Sequence, residues 1–303
     1  MNLKPVEQKV VEKFNLWGGI LDVKGSKESP EKVVYTGLVT LLHMGRLLRE
    51  ARRNPQGIIV SYKQDATRVT DPDVKAEQLA RSILGKIFPD DLVVGEENGG
   101  ELDPHRRCWI VDPIDSTNTF LSYENTSAIS LGLMHEGKML FSAVYNPFTG
   151  EIFYVYGEDR PRLIQHNGIG EVPTGYDLPL PQIEKRDPYR FVNIHPVQLN
   201  DALYSRFIQA RTQKRLDKVL QRGGSPALSL ASIPKDLISF VHQWDTPAKP
   251  WDLAAGIDIV RKAGGLVTGP DGVDIPLVGY QGLFVASHRR EFHDQLLELI
   301  NTL

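Results

Sequence analysis

Two aspartates end an apolar segment near the middle of the chain. In the sequence WIVDPID, residues 109–115, Asp112 and Asp115 are separated by Pro113 and Ile114. Proline fixes its own φ and turns the chain out of a strand, so both carboxylates and the Ile114 carbonyl can face one cation. Taken alone, an Asp-Pro-x-Asp sequence is more typical of a turn that caps a helix than of a metal site.

Hydroxyl groups follow these acids directly. Ser116 and Thr117 come next in the chain, at the point where a following helix would begin. The first N–H groups of a helix have no partner within it, and together with nearby hydroxyls they suit a phosphate group. Cation-binding and phosphate-binding chemistry therefore lie side by side in this segment.

Other carboxylates stand at the ends of predicted elements. Glu96 and Glu97 end the apolar run LVVGEEN, and Asp252 lies at the start of a predicted helix in KPWDLAAG. Functional sites of α/β sheets accumulate at strand carboxyl ends. Converging carboxylates repel one another unless a cation neutralises them, and hard oxygen ligands select Mg²⁺, Mn²⁺ or Ca²⁺.

Composition narrows the kinds of metal and protein. A single cysteine, Cys108, and eight histidines without a spacing such as His-x-x-x-His argue against a zinc site. The formal net charge of -3 gives no basic field for nucleic acid or acidic membranes. No apolar run approaches the ~18 residues of a membrane span, and the charged N-terminal sequence lacks a signal-peptide core. We therefore expect a soluble, cytoplasmic protein.

The first half of the chain, residues 1–180, is predicted to be α+β. It begins with a short helix over residues 5–16 and a longer one that starts near Ser29 and stops at Asn54. A strand pair, a helix opened by Asp73 and a largely antiparallel sheet follow. The arginines near the end of the long helix are interpreted as a solvated face that complements its dipole. They are Arg46, Arg49, Arg52 and Arg53.

The second half, residues 181–303, is predicted to be α/β, because strands and helices alternate there. The Pro-rich sequence 171–188 is interpreted as a linker loop between the halves. The segment WDLAAGIDIVRKAGG reads as a helix that ends at two glycines.

Three motifs in a fixed order raise the specificity of the metal prediction. GEEN, WIVDPIDSTNTF and KPWDLAAG occur in that order, each with the expected strand or helix around it. From about Val60 to the C-terminus, the chain resembles the inositol monophosphatase superfamily of Mg²⁺-dependent, lithium-sensitive phosphatases. The resemblance implies a layered αβαβα sugar-phosphatase fold with the site in a cleft between the halves.

The resemblance also implies a set of metal ligands. Two Mg²⁺ ions are expected, with a third used by some members of the family and Mn²⁺ as a substitute. In a two-metal site the cations lie ~3.5–4 Å apart and stabilise the attacking and departing oxygens. The matching ligands are Glu96, Asp112, the Ile114 carbonyl, Asp115 and Asp252.

Catalytic and substrate-binding roles follow from the same match. Asp73 and Thr117 are expected to orient the attacking water, near the metal that Glu96 helps to hold, while Glu97 supports that ligand. Gly224 and Ser225, in RGGSPALSLAS, match a family segment beside the non-phosphate part of the substrate. The expected substrate contacts are Asp115, Ser116, Thr117, Gly224, Ser225 and Asp252.

Two departures leave the substrate open. The family usually has glycine where this chain has Ser116, and Asp245 stands in a longer segment where one branch has a glutamate. An inositol phosphate is the favoured small phosphorylated metabolite. A 3′(2′),5′-bisphosphate nucleotidase, an inositol polyphosphate 1-phosphatase and a sugar-phosphate phosphatase are the alternatives.

A different class of function is an inactive homologue that binds a partner. The complete ligand set and the pair formed by Asp73 and Thr117 argue against it. Homodimers are common in the family, which makes a homodimer an expectation here, although no segment identifies an interface.

Overall fold

Two large β-sheets, one two-stranded sheet and the helices around them form the computed structural model of this protein, over the residues that it describes. The structure describes residues 4, 5, 7, 8, 29–165, 174–179, 190–194 and 201–302. No helix within these ranges has both the length and the apolar character needed to cross a membrane.

The helices of the described chain, in order, are α1 (Pro30–Arg53), α2 (Asp71–Ile87), α3 (Thr117–Leu121), α4 (Asp201–Thr212), α5 (Pro226–Ala231), α6 (Ile233–Asp236), α7 (Pro250–Lys262) and α8 (Arg290–Asn301). The strands up to the second half are β1 (Val60–Tyr62), β2 (Arg68–Thr70), β3 (Leu92–Gly95), β4 (Cys108–Asp115), β5 (Ala128–His135), β6 (Lys138–Asn146), β7 (Glu151–Tyr156), β8 (Arg162–Gln165) and β9 (Thr174–Asp177). The remaining strands are β10 (Phe191–Ile194), β11 (Lys218–Leu220), β12 (Ser239–Trp244), β13 (Leu266–Thr268) and β14 (Gly282–Ser287).

The larger sheet has seven strands in the order β3-β4-β5-β6-β7-β8-β9. Only β3 and β4 run parallel, with Gly95 opposite Val111, so their carboxyl ends meet at one edge. Every residue of β4 is buried, which explains its nearly continuous apolar sequence. The sequence therefore predicted a largely antiparallel sheet correctly, and its one parallel pair carries two of the acidic motifs.

Alternating side chains place the larger sheet between two helical layers. Trp109 and Val111 pack into one core with α1 and α2, whereas Ile110 packs on the opposite side against Ala254 of α7. In α1, a Cβ at Gly37 would lie 2.5 Å from the Phe141 ring, so glycine lets this helix approach the sheet closely.

The second sheet has five strands in the order β11-β10-β12-β14-β13. Strands β10, β11 and β12 are parallel, and β14 is antiparallel to its neighbours β12 and β13. One face packs against α5 and α7 and the other against α4 and α8. The complete order of layers is helix, sheet, helix, sheet, helix, which confirms the predicted αβαβα fold.

The structure corrects two predicted boundaries. Within the sequence interpreted as a linker, 171–188, residues Thr174–Asp177 form β9 at the edge of the larger sheet, paired with β8. Helix α2 begins at Asp71, two residues before the predicted start. Most of the predicted helix over 5–16 lies outside the described residues, as does the division at 180 and 181, which stays a prediction.

A buried ion pair ties an N-terminal residue to the larger sheet. Glu7 is fully buried, and its carboxylate accepts hydrogen bonds from Arg162 Nε at 2.7 Å and from Nη2 at 2.9 Å. The Tyr154 hydroxyl donates to the same carboxylate at 2.7 Å. Removing Glu7 would leave a buried arginine without this partner, which typically costs ~3–5 kcal/mol.

Candidate active site

The end of β3 carries two glutamates that share one lysine. Lys63, between β1 and β2, places its Nζ 2.6 Å from Glu96 Oε1 and 2.9 Å from Glu97 Oε1. The Glu96 side chain is 28% exposed and that of Glu97 is 4% exposed. Burial disfavours the charged form of Lys63, yet the hydrogen bonds to Glu96 and Glu97 raise its pKa. The lysine is therefore a fixed positive charge beside Glu96.

A buried glutamate of α2 holds the same turn from behind. Glu77 accepts hydrogen bonds from the backbone N–H groups of Glu97 at 2.6 Å and Asn98 at 3.2 Å. Its carboxylate also pairs with Arg81 at 2.8 Å. A Cβ at Gly95 would lie 2.3 Å from the Glu77 carboxyl carbon, so only glycine permits this approach. Glu77 therefore positions the turn that carries Glu96.

The end of β4 is more deeply buried. Asp112 and Asp115 are 2% and 8% exposed, and Ile114 is buried between them. The pairing of β4 with β5 shifts register between the two aspartates, which is the local effect expected of Pro113. The Asp112 Oδ1 atom accepts the Ile114 N–H at 3.0 Å.

Asp115 is held by the start of α5, in the other half of the chain. Its Oδ2 atom accepts hydrogen bonds from the Ser225 hydroxyl and from the Ala227 N–H, the latter at 2.9 Å. The preceding Gly224 has a φ of 113°, and a Cβ there would lie 2.6 Å from Thr126. Glycine is required at this turn, which brings Ser225 to Asp115.

Asp73 lies beside Thr117 at the end of β4. Asp73 is 1% exposed and accepts hydrogen bonds from the backbone N–H and the hydroxyl of Thr70. The Thr117 hydroxyl donates to Asp73 Oδ1 at 3.4 Å and to the Ile114 carbonyl at 3.5 Å. Ser116 precedes α3 with a φ of 72°, in the left-handed region. Its hydroxyl accepts a hydrogen bond from Thr119 at 2.9 Å.

Asp252 combines two roles at the start of α7. Its Oδ2 atom accepts the Lys249 N–H at 2.6 Å and so caps the helix. The negative charges of Asp115 and Glu96 also act on its carboxyl, although these residues lie on other elements. The structure thus brings the side chains of all four predicted acidic ligands, Glu96, Asp112, Asp115 and Asp252, into one electrostatic neighbourhood.

Burial and mutual repulsion raise the pKa values of these acids. Burial first, and then the charges of Glu96 and Asp115, raise the pKa of Asp112 well above its usual range. Burial raises the pKa of Asp115 to about 7, despite the hydrogen bond from Ser225. Burial raises the pKa of Asp252 to about 8. Such a group of acids is unstable in its charged form without a neutralising cation.

The donor chemistry suits a hard divalent cation. The predicted ligands are carboxylate oxygens and the Ile114 carbonyl oxygen. Among the residues that the structure describes, no group of three or more His, Cys, Asp or Glu side chains is arranged closely enough to hold a metal ion. Several carboxylate oxygens are instead engaged by Lys63, Ser225 and backbone N–H groups. The oxygen set fits Mg²⁺, Mn²⁺ or Ca²⁺ better than zinc.

Sequence reasoning missed Glu77 and misjudged some helix-end arginines. The Glu77–Arg81 pair has the spacing of four residues that joins side chains on a helix, which was an available signal. Arg49 and Arg52 do not form a solvated face. Arg49 donates to the Tyr145 hydroxyl at 2.6 Å, and Arg52 contacts the segment after the acidic motif. Arg46 forms an exposed pair with Glu50, as a solvated residue would.

Comparisons with known proteins match most of this chain. The family model "Inositol monophosphatase family" matches residues 30–303. An inositol-1-monophosphatase of Caulobacter vibrioides is 29% identical over 250 residues, covering 79% of this chain and 89% of the relative. A fructose-1,6-bisphosphatase/inositol-1-monophosphatase of Aquifex aeolicus is 25% identical over 267 residues, covering 84% and 94%.

A solved structure shows the same fold. The extragenic suppressor protein SuhB of Bartonella henselae superposes with a TM-score of 0.70 at 25% sequence identity. The match covers 89% of this chain and 98% of that protein. The chain belongs to the inositol monophosphatase family, whose members are metal-dependent phosphatases that hydrolyse phosphoric monoesters.

Proposed function

We propose that this chain is a Mg²⁺-dependent phosphomonoesterase that acts on an inositol phosphate. The observation that carries the proposal is the buried carboxyl of Asp112, which is repelled by Glu96, Asp115, Asp252 and Asp73. A divalent cation between these acids would remove that repulsion and leave a positive centre for a phosphate group.

The proposed ligands divide between two cations. Glu96, Asp112 and the Ile114 carbonyl would hold one, and Asp112, Asp115 and Asp252 the other. When bound, the cations neutralise charge on the phosphoryl group and activate water. Uncatalysed hydrolysis of phosphate monoesters is so slow that enzymes accelerate it by up to ~10²¹-fold, which requires strong electrostatic stabilisation.

Asp73 and Thr117 are proposed to orient the attacking water. Burial raises the pKa of Asp73 to about 6, despite the hydrogen bonds from Thr70. A carboxylate with a pKa near the working pH can accept a proton and later release it. Thr117 contacts both Asp73, the proposed proton acceptor, and the Ile114 carbonyl, a proposed metal ligand.

The substrate assignment rests on the relatives. The Caulobacter relative is named for inositol 1-monophosphate, whereas the Aquifex relative is named for fructose 1,6-bisphosphate as well. Fructose 1,6-bisphosphate is therefore the second candidate. Ser116, Gly224 and Ser225 are proposed to contact the substrate beside Asp115, and Ser116 keeps the bisphosphate nucleotidase and polyphosphate phosphatase alternatives open.

A panel of phosphate esters tests the proposal. Phosphate release is measured from inositol 1-phosphate, fructose 1,6-bisphosphate, inositol 1,4-bisphosphate and adenosine 3′,5′-bisphosphate. Each substrate is assayed with Mg²⁺, with Mn²⁺ and with a chelator, and Li⁺ is added as an inhibitor. We expect the highest kcat/KM for inositol 1-phosphate, restored after chelation by Mg²⁺. Absence of turnover for every ester would refute the proposal and favour the inactive binding homologue.

Two Trp-Asp pairs supply a matched control. Asp252 follows Trp251 at the proposed site, while the carboxylate of Asp245, which follows Trp244, accepts a 3.3 Å hydrogen bond from the Gln243 side chain. We expect Asp252→Asn to abolish turnover and Asp245→Asn to leave it close to wild type. Equal losses would contradict the metal assignment. A homodimer and a cytoplasmic location stay predictions, to be checked by sedimentation and by localisation of the tagged chain.

A further inference from the structure

Arg52 connects the last turn of α1 to the segment that follows the acidic motif. Its Nη2 atom donates to the carbonyl of Thr119 at 3.0 Å and to that of Glu124 at 2.7 Å. Its Nε atom donates to the Phe120 carbonyl at 3.2 Å, and Nη1 donates to Asn125 Oδ1 at 3.3 Å. One guanidinium therefore holds the end of α3 and the loop after it, 67 to 73 residues further along the chain.

Aromatic rings fix the plane of this guanidinium. The Arg52 guanidinium carbon lies 3.5 Å from the centre of the Phe148 ring, 5.1 Å from that of Phe120 and 5.5 Å from that of Tyr123. A planar guanidinium can stack on rings while its N–H groups donate in the plane, which an ammonium group cannot do. The contacts thus define both the position and the orientation of the group.

The short length of α3 makes this hold important. The helix has five residues, Thr117–Leu121, and a single turn is not stable by its own hydrogen bonds. At its start, the Thr117 hydroxyl makes only the long contacts of 3.4 Å to Asp73 and 3.5 Å to the Ile114 carbonyl. Thr119 donates to Ser116 at 2.9 Å within this first turn, and the contacts from another element that hold the end of α3 come from Arg52. The position of Thr117 therefore depends on how firmly the end of α3 is held.

We propose that Arg52 is a positioning residue for Thr117, acting through α3 without touching the substrate. The inference rests on the proposed function, since it concerns the water that Asp73 and Thr117 orient. Loss of the guanidinium lets α3 shift, which moves the Thr117 hydroxyl relative to Asp73. Misplacement of a reacting group by about 1 Å can cost on the order of 100-fold in rate.

Arg49 provides a matched control on the same helix. It lies one turn before Arg52 and donates to the Tyr145 hydroxyl at 2.6 Å and to the Pro147 carbonyl at 3.2 Å. Both of these acceptors lie on or just after β6, away from α3. Both arginines therefore stabilise the packing of α1, but only Arg52 holds the segment that carries Thr117.

The test compares Arg52→Ala, Arg52→Lys and Arg49→Ala in the full chain with its divalent cation. For Arg52→Ala we expect kcat to fall by about 10- to 100-fold while KM stays within about twofold, because no substrate contact is lost. Arg52→Lys is expected to fall between that variant and wild type, since an ammonium restores charge but not the planar contacts. Both alanine variants are expected to lower Tm, and only Arg52→Ala to lower kcat.

Chemical rescue separates positioning from loss of stability. Methylguanidinium at millimolar concentration is expected to restore part of the kcat of Arg52→Ala and none of any loss in Arg49→Ala. Hydrogen exchange gives a readout without turnover: the amides of Phe120 and Ser122, bonded to the carbonyls of Ser116 and Asn118, should exchange faster only in the Arg52 variants.

Several outcomes would overturn the inference. Arg52→Ala or Arg52→Lys with wild-type kcat and unchanged exchange would show that Arg52 only stabilises the fold. Equal loss of kcat in Arg49→Ala would show that any loosening of α1 is sufficient. If wild type hydrolyses no ester, the proposed function fails, while the exchange experiment still decides whether Arg52 holds α3. Should Arg52→Ala not fold, Arg52→Lys decides by the same measurements.

Discussion

Two neighbouring strand ends in this molecule handle negative charge in opposite ways. At the end of β3, Glu96 is partly exposed and Lys63 provides a positive charge at 2.6 Å. At the end of β4, Asp112 and Asp115 are buried, and their carboxylates accept hydrogen bonds from a hydroxyl and from backbone N–H groups. The two ends lie side by side because β3 and β4 are parallel.

The difference locates the need for a cation. At the β3 end Lys63 offsets part of the charge, although burial still raises the pKa of Glu97 to about 7. At the β4 end burial and like charges raise the pKa of Asp112 and Asp115. Hydrogen bonds from neutral groups orient a carboxylate but do not remove its charge. A divalent ion should therefore bind with its largest electrostatic gain at Asp112, a residue of the β4 end whose carboxyl is also repelled by Glu96 of the β3 end.

Asp112→Asn removes the carboxylate charge that interacts with Glu96 at the β3 end and with Asp115 at the β4 end. We expect kcat to fall by on the order of 1,000-fold or more. One oriented charge at a reacting centre should stabilise the transition state at least as much as a single hydrogen-bond donor of an oxyanion hole does. The fold should persist, since asparagine has the same shape and one repelling charge is gone. Kinetics with saturating Mg²⁺ and a circular-dichroism melt check both statements. Near-normal turnover in Asp112→Asn would contradict the claim that the Asp112 carboxylate is where the cation is needed most.

Glu77→Gln loosens the β3 end alone. The change leaves Arg81 without its carboxylate and weakens the hold on Glu97 and Asn98, so we expect a loss of about 2–3 kcal/mol in unfolding free energy. Lys75→Met on the same helix breaks only the exposed pair with Asp71 and should cost less than about 0.5 kcal/mol. Urea unfolding measures both variants. A similar cost for the two would show that the Glu77 pair does not hold the turn.

The stability of the metal-free chain should fall as pH rises. The raised pKa values, about 7 for Asp115 and about 8 for Asp252, mean that the folded chain binds more protons than the unfolded chain above pH ~4. Unfolding free energy then decreases by ~1.4 kcal/mol per pH unit for each extra proton, up to the folded pKa. Urea unfolding in a chelator between pH 5 and 8 measures the slope. Asp112→Asn or excess Mg²⁺ should flatten it, and a slope of opposite sign would contradict the repulsion.

Lys63→Met tests the compensated end. The substitution removes the Lys63 ammonium group, which competes with a divalent cation for Glu96. We expect divalent-cation affinity to rise by about three- to tenfold, the effect of losing one partly exposed ion pair. Calorimetric titration with Mn²⁺ measures this affinity, with Lys75→Met as the control for lost surface charge. Weaker binding in Lys63→Met would show that the lysine assists the cation and does not compete with it.

The acids of the site could be predicted because their signals are local. Pro113 and the run of buried residues before Asp112 define the strand end, and Asp252 stands at a recognisable helix start. Their order along the chain carried the resemblance that implied the ligand set and the layered fold, since the Asp-Pro-x-Asp segment taken alone is more typical of a turn.

The supports of these acids could not be predicted in the same way. Arg52 reaches Thr119 and Phe120 across more than 60 residues, and Glu77 reaches Glu97 across 20. Such contacts depend on how α1 and α2 pack on the sheet, which helical periodicity does not specify. The edge strand β9 was missed for a related reason: Thr174–Asp177 lacks apolar alternation and is a strand because it pairs with β8.

Ser116 has a left-handed backbone conformation that is strained for any residue with a side chain. A serine with a φ of 72° has a backbone conformation that costs ~1–2 kcal/mol and that glycine adopts freely. Stability alone would favour glycine there, as the family usually has. The serine hydroxyl accepts a hydrogen bond from Thr119 and provides, next to Asp115 in the chain, a polar group that glycine lacks. Measuring turnover of several phosphate esters by a library of variants at position 116 would show which substrates are hydrolysed faster with serine there.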